Sequence, residues 1–275
     1  LVGSEMCIRD RNKKAYIVID NPTSSIIPLM NTFRDNQDYE ADMFVNNHEA
    51  KEIMDDNTLL VVVDTNKPSI TQCEDLLYMA KMIVVLDHHR QGSDTIRNSV
   101  LSYIEPYASS ASEMVAEILQ YFTEGIRIRN VEADSIYAGI MIDTDNFMQK
   151  TGVRTFEAAA FLRRCGADVT RVRKLFREDM NDYKARGETI RNAELFRGQF
   201  AISECPSDYV DSPTVVGAQA ANELLNIVGV KASFVLTEYK GVIYISARAI
   251  DEVNVQIIME RMGGGGHLNM AGCQL

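Results

Sequence analysis

Two nearly continuous apolar runs, "TLLVVVDTN" (58–66) and "MIVVLDHH" (82–89), flank "TQCEDLLYMAK" (71–81), and both end in an acid, Asp64 and Asp87. A strand with one wet face alternates apolar and polar residues. A run that is apolar throughout suits a strand covered on both faces, the habit of parallel sheets. Between the runs, Thr71 stands as an N-cap with Glu74 in the capping-box position, which predicts a helix over 71–81. Strands alternating with helices form βαβ units, and these build a parallel sheet with helices on both faces. The predicted class is α/β.

The flanking segments extend that pattern. "KAYIVID" (14–20) reads as a strand, and "SSIIPLMNTF" (24–33) and "NNHEAKEIMDD" (46–56) as helices. Apolar residues then recur at three-to-four spacing in 110–122, 132–144, 155–166 and 168–177. A long charged helix is expected over 181–196, and after it the rhythm changes. A strand (198–205), a helix (214–228), a hairpin about Lys240-Gly241 (231–248) and a helix (253–262) lead into "GGGGH" (263–267). The expected layout is a leader of doubtful origin over 1–11, a first domain over 12–180, a linker helix over 181–197 and a smaller α/β domain over 198–275.

Charge narrows the partners. Lys plus Arg number 28 against 39 Asp plus Glu, a net charge of -11. That balance argues against long nucleic acid, which wants a basic surface. A small anionic substrate held by metal ions and a few arginines remains open. Five scattered cysteines without a C-x-x-C pair suit a reducing, cytoplasmic setting. No apolar run approaches the ~18 to 20 residues of a membrane helix. The oligomeric state stays open, a homodimer included.

In an open α/β sheet, ligands bind beyond the carboxyl ends of the strands. Asp64 and the trio Asp87, His88 and His89 end neighbouring strands, and Asp143 ends the helical segment "YAGIMIDTDNF". Each alone has a plainer reading, as a cap, a turn residue or exposed surface. Together they are the carboxylate and imidazole set that a divalent ion wants. Two such ions ~3.5 to 4 Å apart clamp a phosphate and activate water. In the second half, Ser246 and Arg248 differ by two and share a strand face, and Arg suits bidentate phosphate contact. Asn254 opens the following helix, as its cap or as a ligand contact. Ordering Gly263, Gly264, Gly265 and Gly266 is entropically costly, which suggests close backbone approach to an anionic ligand, with His267 beside it.

Taken together, "LDHH" (86–89), "VVVDTN" (61–66), "GIMIDTDNF" (139–147) and "GGGGH" (263–267) resemble the DHH-type phosphoesterases with a C-terminal DHH-associated domain. The resemblance covers about residues 14–275. "DTNKPS", "DHHR", "IEPYASSASEMVAEILQYF", "SAR" and "NVQIIME" look closest to the branch of cyclic-di-AMP phosphodiesterases of Gram-positive bacteria. The resemblance implies a two-manganese site in which Asp64 bridges the ions and His88 and Asp143 bind the second. It implies that His89 touches the scissile phosphate and that Asp87 orients the histidines. It also implies that Ser246, Arg248, Asn254, the glycine loop and His267 hold the dinucleotide, with pApA as product. Full-length members of that branch carry N-terminal membrane and sensory domains, which would put the parent at the cytoplasmic face of the plasma membrane.

One motif departs. The family's H-x-x-x-D-x-D is expected before "KAYIVID" and does not occur in the 275 residues. The remaining histidine outside the motifs, His48, has no D-x-D after it. The expectation is an N-terminally truncated fragment whose first ion lacks most of its ligands and whose activity is weak or absent. Two alternatives share the residues: an oligoribonuclease and pAp phosphatase of the same superfamily, and a module that binds a nucleotide without cleaving it.

Overall fold

The computed structural model describes residues 14–23, 26–40, 42–122, 127–250 and 252–275. The leader expected over 1–11 lies outside the described residues, as do Ser24 and Ser25 of the expected helix over 24–33. The chain divides into two units, Leu1–Phe176 and Arg177–Leu275.

In the first unit, β1 (Ile17–Val18) and β2 (Phe44–Val45) pair in parallel. Helix α1 (Ile27–Arg34) lies between them in sequence, and α2 (Asn47–Ile53) follows under a capping box formed by Asn46 and Glu49. A second parallel sheet holds β3 (Leu59–Val63), β4 (Met82–Asp87) and β5 (Leu101–Ile104), in the order β3-β4-β5. Val63 lies opposite Leu86, so Asp64 and Asp87 leave the sheet side by side. The apolar runs have the cause expected of them. Val61, Val84 and Leu86 face a core built by helices, whereas Val62, Ile83 and Val85 face a second core with Leu77 and Ile96. Both faces are covered, so no position within these strands favours a polar side chain.

Two local expectations change. The helix predicted over 71–81 shortens to α3 (Asp75–Met79), preceded by a 3-10 turn at Pro68–Ile70. Thr71 closes that turn, its hydroxyl donating to the Pro68 carbonyl at 2.7 Å, and so caps no α-helix. Strand β5 has no counterpart among the predicted elements.

Helices α4 (Ala111–Tyr121), α5 (Asn130–Asp143), α6 (Val153–Arg164) and α7 (Val169–Leu175) supply the helical side of the core. Ser110 and Asp168 cap α4 and α7 by accepting backbone N–H bonds. α5 runs through the middle, with Ala133, Ile136, Ala138 and Ile140 buried, and it delivers Asp143 as its last residue. It lies close to α4 at Gly139, where an added Cβ would stand 2.1 Å from Ser112 Oγ and 3.0 Å from Ser112 Cβ.

The second unit opens with α8 (Met180–Arg191), whose Ala185 is buried in that unit's core. The helix expected over 181–196 therefore ends early, and Glu194–Phe196 becomes strand β6. Strands β7 (Phe200–Cys205), β8 (Ala232–Tyr239), β9 (Val242–Ala249), β10 (Gly265–His267) and β11 (Met270–Gln274) complete a six-stranded sheet, ordered β10-β11-β9-β8-β7-β6. Helix α9 (Pro213–Leu224) packs with α8 on one face, through Val216, Ala220 and Leu224 against Ala201 and Val235. Helix α10 (Val255–Arg261) covers the other, through Val255 and Met259 against Ile245 and Ala247. The expected hairpin turns at Lys240 and Gly241, at φ 53° and 77°, the two left-handed residues of a type I′ turn.

The Gly139 contact yields a prediction. Gly139→Val should lower the unfolding free energy by about 1–3 kcal/mol through overpacking against α4. The double variant Gly139→Ala with Ser112→Gly should lie close to the parent, because the second change vacates the space the first needs. Denaturant unfolding of both variants checks this.

Candidate functional site

Asp64 sits just past β3 at φ 66°, a left-handed conformation uncommon for a side chain other than Gly or Asn. Its N–H still bonds the Leu86 carbonyl at 2.9 Å, which holds the turn against β4. Asp87 is the last residue of β4 and is fully buried. Its Oδ1 accepts from the His89 backbone N–H at 3.2 Å and lies 2.7 Å from His89 Nδ1. Its Oδ2 accepts from Asn66 Nδ2 at 2.5 Å, and the same amide donates to the His89 carbonyl at 3.3 Å. With Nδ1–H held by Asp87, the His89 lone pair is on Nε2.

His88 is held differently. Its Nδ1 lies 3.4 Å from the Ala108 carbonyl, so Nδ1 is the donor and Nε2 is left to hold a second proton toward Asp64 or to bind a cation. That Nε2 stands 3.3 Å from Asp64 Oδ1 and 4.0 Å from Asp143 Oδ2. Ala108 belongs to a loop anchored by the buried Glu113, whose carboxylate accepts from Ser109 Oγ at 2.5 Å and from the Ser109 N–H at 3.3 Å.

The electrostatics follow from this crowding. The hydrogen bond to Asp64 pushes the His88 pKa up, with the charge of Asp143 adding to it against the opposing effect of burial. Burial pushes the Asp143 carboxyl up, the negative charge of Asp64 adds to this, and the two histidines oppose it. Both groups hold protons more tightly than usual, and a cation entering here would release them.

The donors fit a divalent ion. Bonds of about 2.0–2.2 Å allow donor separations up to about 4.3 Å, which covers the gaps from His88 to Asp64 and Asp143. Donor atoms of Asp64, His88 and His89 also lie within 4.8 Å of one another. His89, expected on the phosphate, thus also stands near ligand range. The described residues supply donors around one cation.

Sequence reading missed two contributors. Asn66 lies inside the quoted "VVVDTN", but an Asn after a strand end reads as a turn residue. The Ala108 carbonyl carries no side-chain signal at all. Ser110 and Glu113 form the S-x-x-E spacing that marks the anchored loop.

The second candidate place lies in the second unit. Its register sets His267 opposite Met270, Met270 opposite Arg248, and Arg248 opposite Ser233. One row over, Gly265, Gly272, Ser246 and Val235 are aligned. Facing residues in an antiparallel pair share a face, so Ser246, Arg248, Gly265 and His267 lie together on the face that α9 partly covers. Arg248 Nε donates to Asn222 Oδ1 on α9 at 2.8 Å, and burial presses the guanidinium pKa down. Asn254 caps α10, accepting from the Ile257 N–H at 3.3 Å.

The glycine run has a different main cause from the one expected. Gly263, at φ 83°, ends α10 in a Schellman motif, with its N–H on Glu260 and that of Gly264 on Met259. A Cβ at Gly264 would stand 2.1 Å from the Gly272 carbonyl, and one at Gly266 would stand 2.5 Å from Ala271 Cα. Only at Gly265 would a Cβ meet open space in the β10 strand.

Comparison with known proteins decides the family. Residues 14–140 match the model described as "DHH family, N-terminal domain", and 199–275 match the DHHA1 domain. The chain belongs to the DHH family. It is 43% identical over 280 residues to the cyclic-di-AMP phosphodiesterase GdpP of Bacillus subtilis, covering 100% of this chain and 42% of that protein. It is 40% identical over 271 residues to PdeA, the cyclic-di-AMP phosphodiesterase of Listeria monocytogenes, covering 98% and 41%. The chain thus spans about two fifths of these relatives' length. The bifunctional oligoribonuclease and PAP phosphatase NrnA of Mycoplasma genitalium is 28% identical over 221 residues, 78% of this chain and 68% of that protein. An exopolyphosphatase-related protein from Bacteroides fragilis shares the fold, with a TM-score of 0.80 at 18% identity over 97% of this chain and 79% of that one. Within the family, the acid and two histidines of its name are Asp87, His88 and His89.

Asn66 provides the test of this geometry. Asn66→Ala should weaken divalent-cation binding by roughly tenfold to a hundredfold, because Asp87 loses the donor that sets its orientation behind His89. Titration calorimetry with Mn2+ reads this directly, and an unchanged affinity would show that Asn66 serves packing alone.

Proposed function

We propose that this chain carries the hydrolytic core of a manganese-dependent phosphodiesterase that opens cyclic di-AMP to linear pApA. The observation that carries the reading is the end-to-end 43% identity with the Bacillus subtilis cyclic-di-AMP phosphodiesterase, by a chain whose Asp64, His88 and Asp143 converge at the sheet end. Two ions are taken to serve the complete site. Asp64, His88 and Asp143 would hold one, and bound ions supply Lewis acidity to the phosphate and lower the pKa of water.

The residues have distinct tasks. Asp87 fixes the ring of His89 from behind, which would set its outer edge against a phosphate oxygen. Water adds to phosphorus, the bond from phosphorus to the 3′ oxygen breaks, and that oxygen leaves with a proton. The phosphate stays on the 5′ side, which is the polarity of pApA. In the second unit, Arg248 offers a fixed guanidinium to a phosphate, with Ser246 and His267 beside it and Gly265 as an open floor for a flat group.

The partner is a small cyclic or linear dinucleotide, and the charge of -11 disfavours long strands. No helix among the described residues is long and apolar enough to cross a membrane. Cys73, Cys165, Cys205 and Cys273 are all free thiols, which supports a cytoplasmic setting for the reaction.

The full-length protein incubated with cyclic di-AMP and Mn2+ should yield pApA, and absence of turnover would overturn the reading. Faster cleavage of pApA than of the cycle would favour an oligoribonuclease instead. Tight binding of cyclic di-AMP in EDTA without hydrolysis would favour a binding module. Arg248→Ala should raise KM by about tenfold or more with a smaller change in kcat, because it removes a contact present before the chemistry.

A further inference from the structure

We propose that Glu113 and Arg154, two residues outside the donor set, are positioning residues for His88, a role that rests on reading Asp64, His88 and Asp143 as cation ligands. They act through residues 105–109, whose Ala108 carbonyl holds the His88 ring. This stretch leaves β5 and closes a circuit of bonds back onto β4. The Glu105 N–H donates to the Asp87 carbonyl at 2.9 Å, and the Glu105 carbonyl accepts from the Ala108 N–H at 3.0 Å. The Ala108 carbonyl faces His88 Nδ1, and His88 is the next residue after Asp87. The ring therefore follows wherever Ala108 is held. At 3.4 Å that last bond is long, so a small outward shift of Ala108 breaks it.

Glu113 does more than start a helix. Ser110 caps α4 and accepts from the Glu113 N–H at 2.9 Å. In a capping box, the acid three residues on reaches back to the N–H of the cap itself. The Glu113 carboxylate instead accepts from the hydroxyl and the N–H of Ser109, one residue earlier, at 2.5 Å and 3.3 Å. An acid that serves only the helix start can stay in water, whereas Glu113 is 1% exposed. Burying a carboxylate is costly unless donors meet it, and here they come from the residue that follows Ala108. The same bonds fix the far end of the stretch that carries the Ala108 carbonyl.

Arg154 stands behind both ends. It lies in the first turn of α6, where the helix dipole disfavours a cation, so neighbouring acids must account for its place. Its Nε and Nη2 donate to the Glu117 carboxylate at 2.7 Å each. Its Nη1 lies 3.5 Å from the Glu105 carboxylate and its Nε 3.9 Å from that of Glu113. Glu105 also accepts from the Tyr107 N–H at 3.3 Å, which tightens the turn ahead of Ala108. One guanidinium thus sits between the two acids that hold residues 105–109, and it offsets both their repulsion and the burial of Glu113.

The order of dependence runs from Arg154 to Glu113, then to Ser109 and Ala108, and last to His88. Asp64 and Asp143 take no part in it, because one is held by the turn after β3 and the other by the end of α5.

Titration calorimetry with Mn2+ reads this sequence of contacts without any substrate. Glu113→Gln keeps the shape of the side chain and removes the charge that Ser109 and Arg154 meet. It should weaken Mn2+ binding by about tenfold, the lower end for a residue that orients a ligand from behind. Ser109→Ala combined with Glu113→Gln should cost little more than either change alone, because both break the same link. Leu162→Ala, which empties a buried place in the same core, should lower stability and leave the Mn2+ affinity unchanged. In 15N-labelled protein, the His88 Nδ1–H signal should be present in the parent and lost by exchange in Glu113→Gln. Arg154→Met, at a side chain 40% exposed, carries the test if Glu113→Gln does not fold, and should weaken Mn2+ binding by a smaller factor. Unchanged Mn2+ affinity in the folded variants would overturn the proposal, as would an equal loss in Leu162→Ala or a parent that binds no Mn2+. Hydrolysis of cyclic di-AMP enters none of these readouts, so failure of the phosphodiesterase reading would leave them intact.

Discussion

A carboxylate with no exposed surface ends β4, and the arrangement of the first unit's site follows from satisfying it. An ionised carboxylate buried without partners costs several kcal/mol, so Asp87 must be met by donors on every side. Asn66 comes from the loop after β3, and the backbone and ring of His89 come from the loop after β4. These bonds tie two adjacent strand ends together and settle which nitrogen of His89 carries the proton. Asp64 then has little freedom. Its N–H is on Leu86 and its backbone is left-handed, which aims the carboxylate across to His88.

The parts legible in the sequence are those in which side-chain pattern and burial coincide. β3 and β4 are apolar throughout because both of their faces are covered, and acids can stand only where the strands leave the sheet. The meeting of Asp64 with His88 could be anticipated for that reason, whereas Asp143 arrives from the end of α5. β5 escaped notice because an edge strand has one uncovered side, and "LSYI" lacks the apolar continuity of its neighbours. The Ala108 carbonyl escaped because a backbone acceptor leaves no trace in residue type. Thr71 misled for a physical reason too: a hydroxyl before an apolar run can satisfy a 3-10 turn set by Pro68 as readily as an α-helix.

The four glycines show how a correct location can rest on an incomplete cause. Costly ordering does mark close approach, but most of that approach is the chain's own. Gly263 ends a helix, and Gly264 and Gly266 let β10 lie against β11. What remains for a ligand is the face itself. Gly265, Gly272 and Ser246 form a row of small residues beside the row of His267, Met270 and Arg248. A hairpin too tight for Cβ atoms makes a shallow, polar-rimmed surface, and that suits a flat base better than a loop wrapped around a phosphate would.

The two units gather opposite chemistry. The sheet end of the first gathers the carboxylates of Asp64, Asp143 and the buried Asp87, whereas the second offers a guanidinium, a hydroxyl and an imidazole. With a net charge of -11, long-range attraction cannot bring an anionic ligand in. Attraction for an anion must therefore be local: in the second unit Arg248 supplies it, and in the first a bound cation would. A divalent ion held by Asp64, His88 and Asp143 would offset the negative charge of that surface. The same acidity that disfavours long polyanions would, under the proposed function, make recognition of a small anion at this sheet end depend on metal.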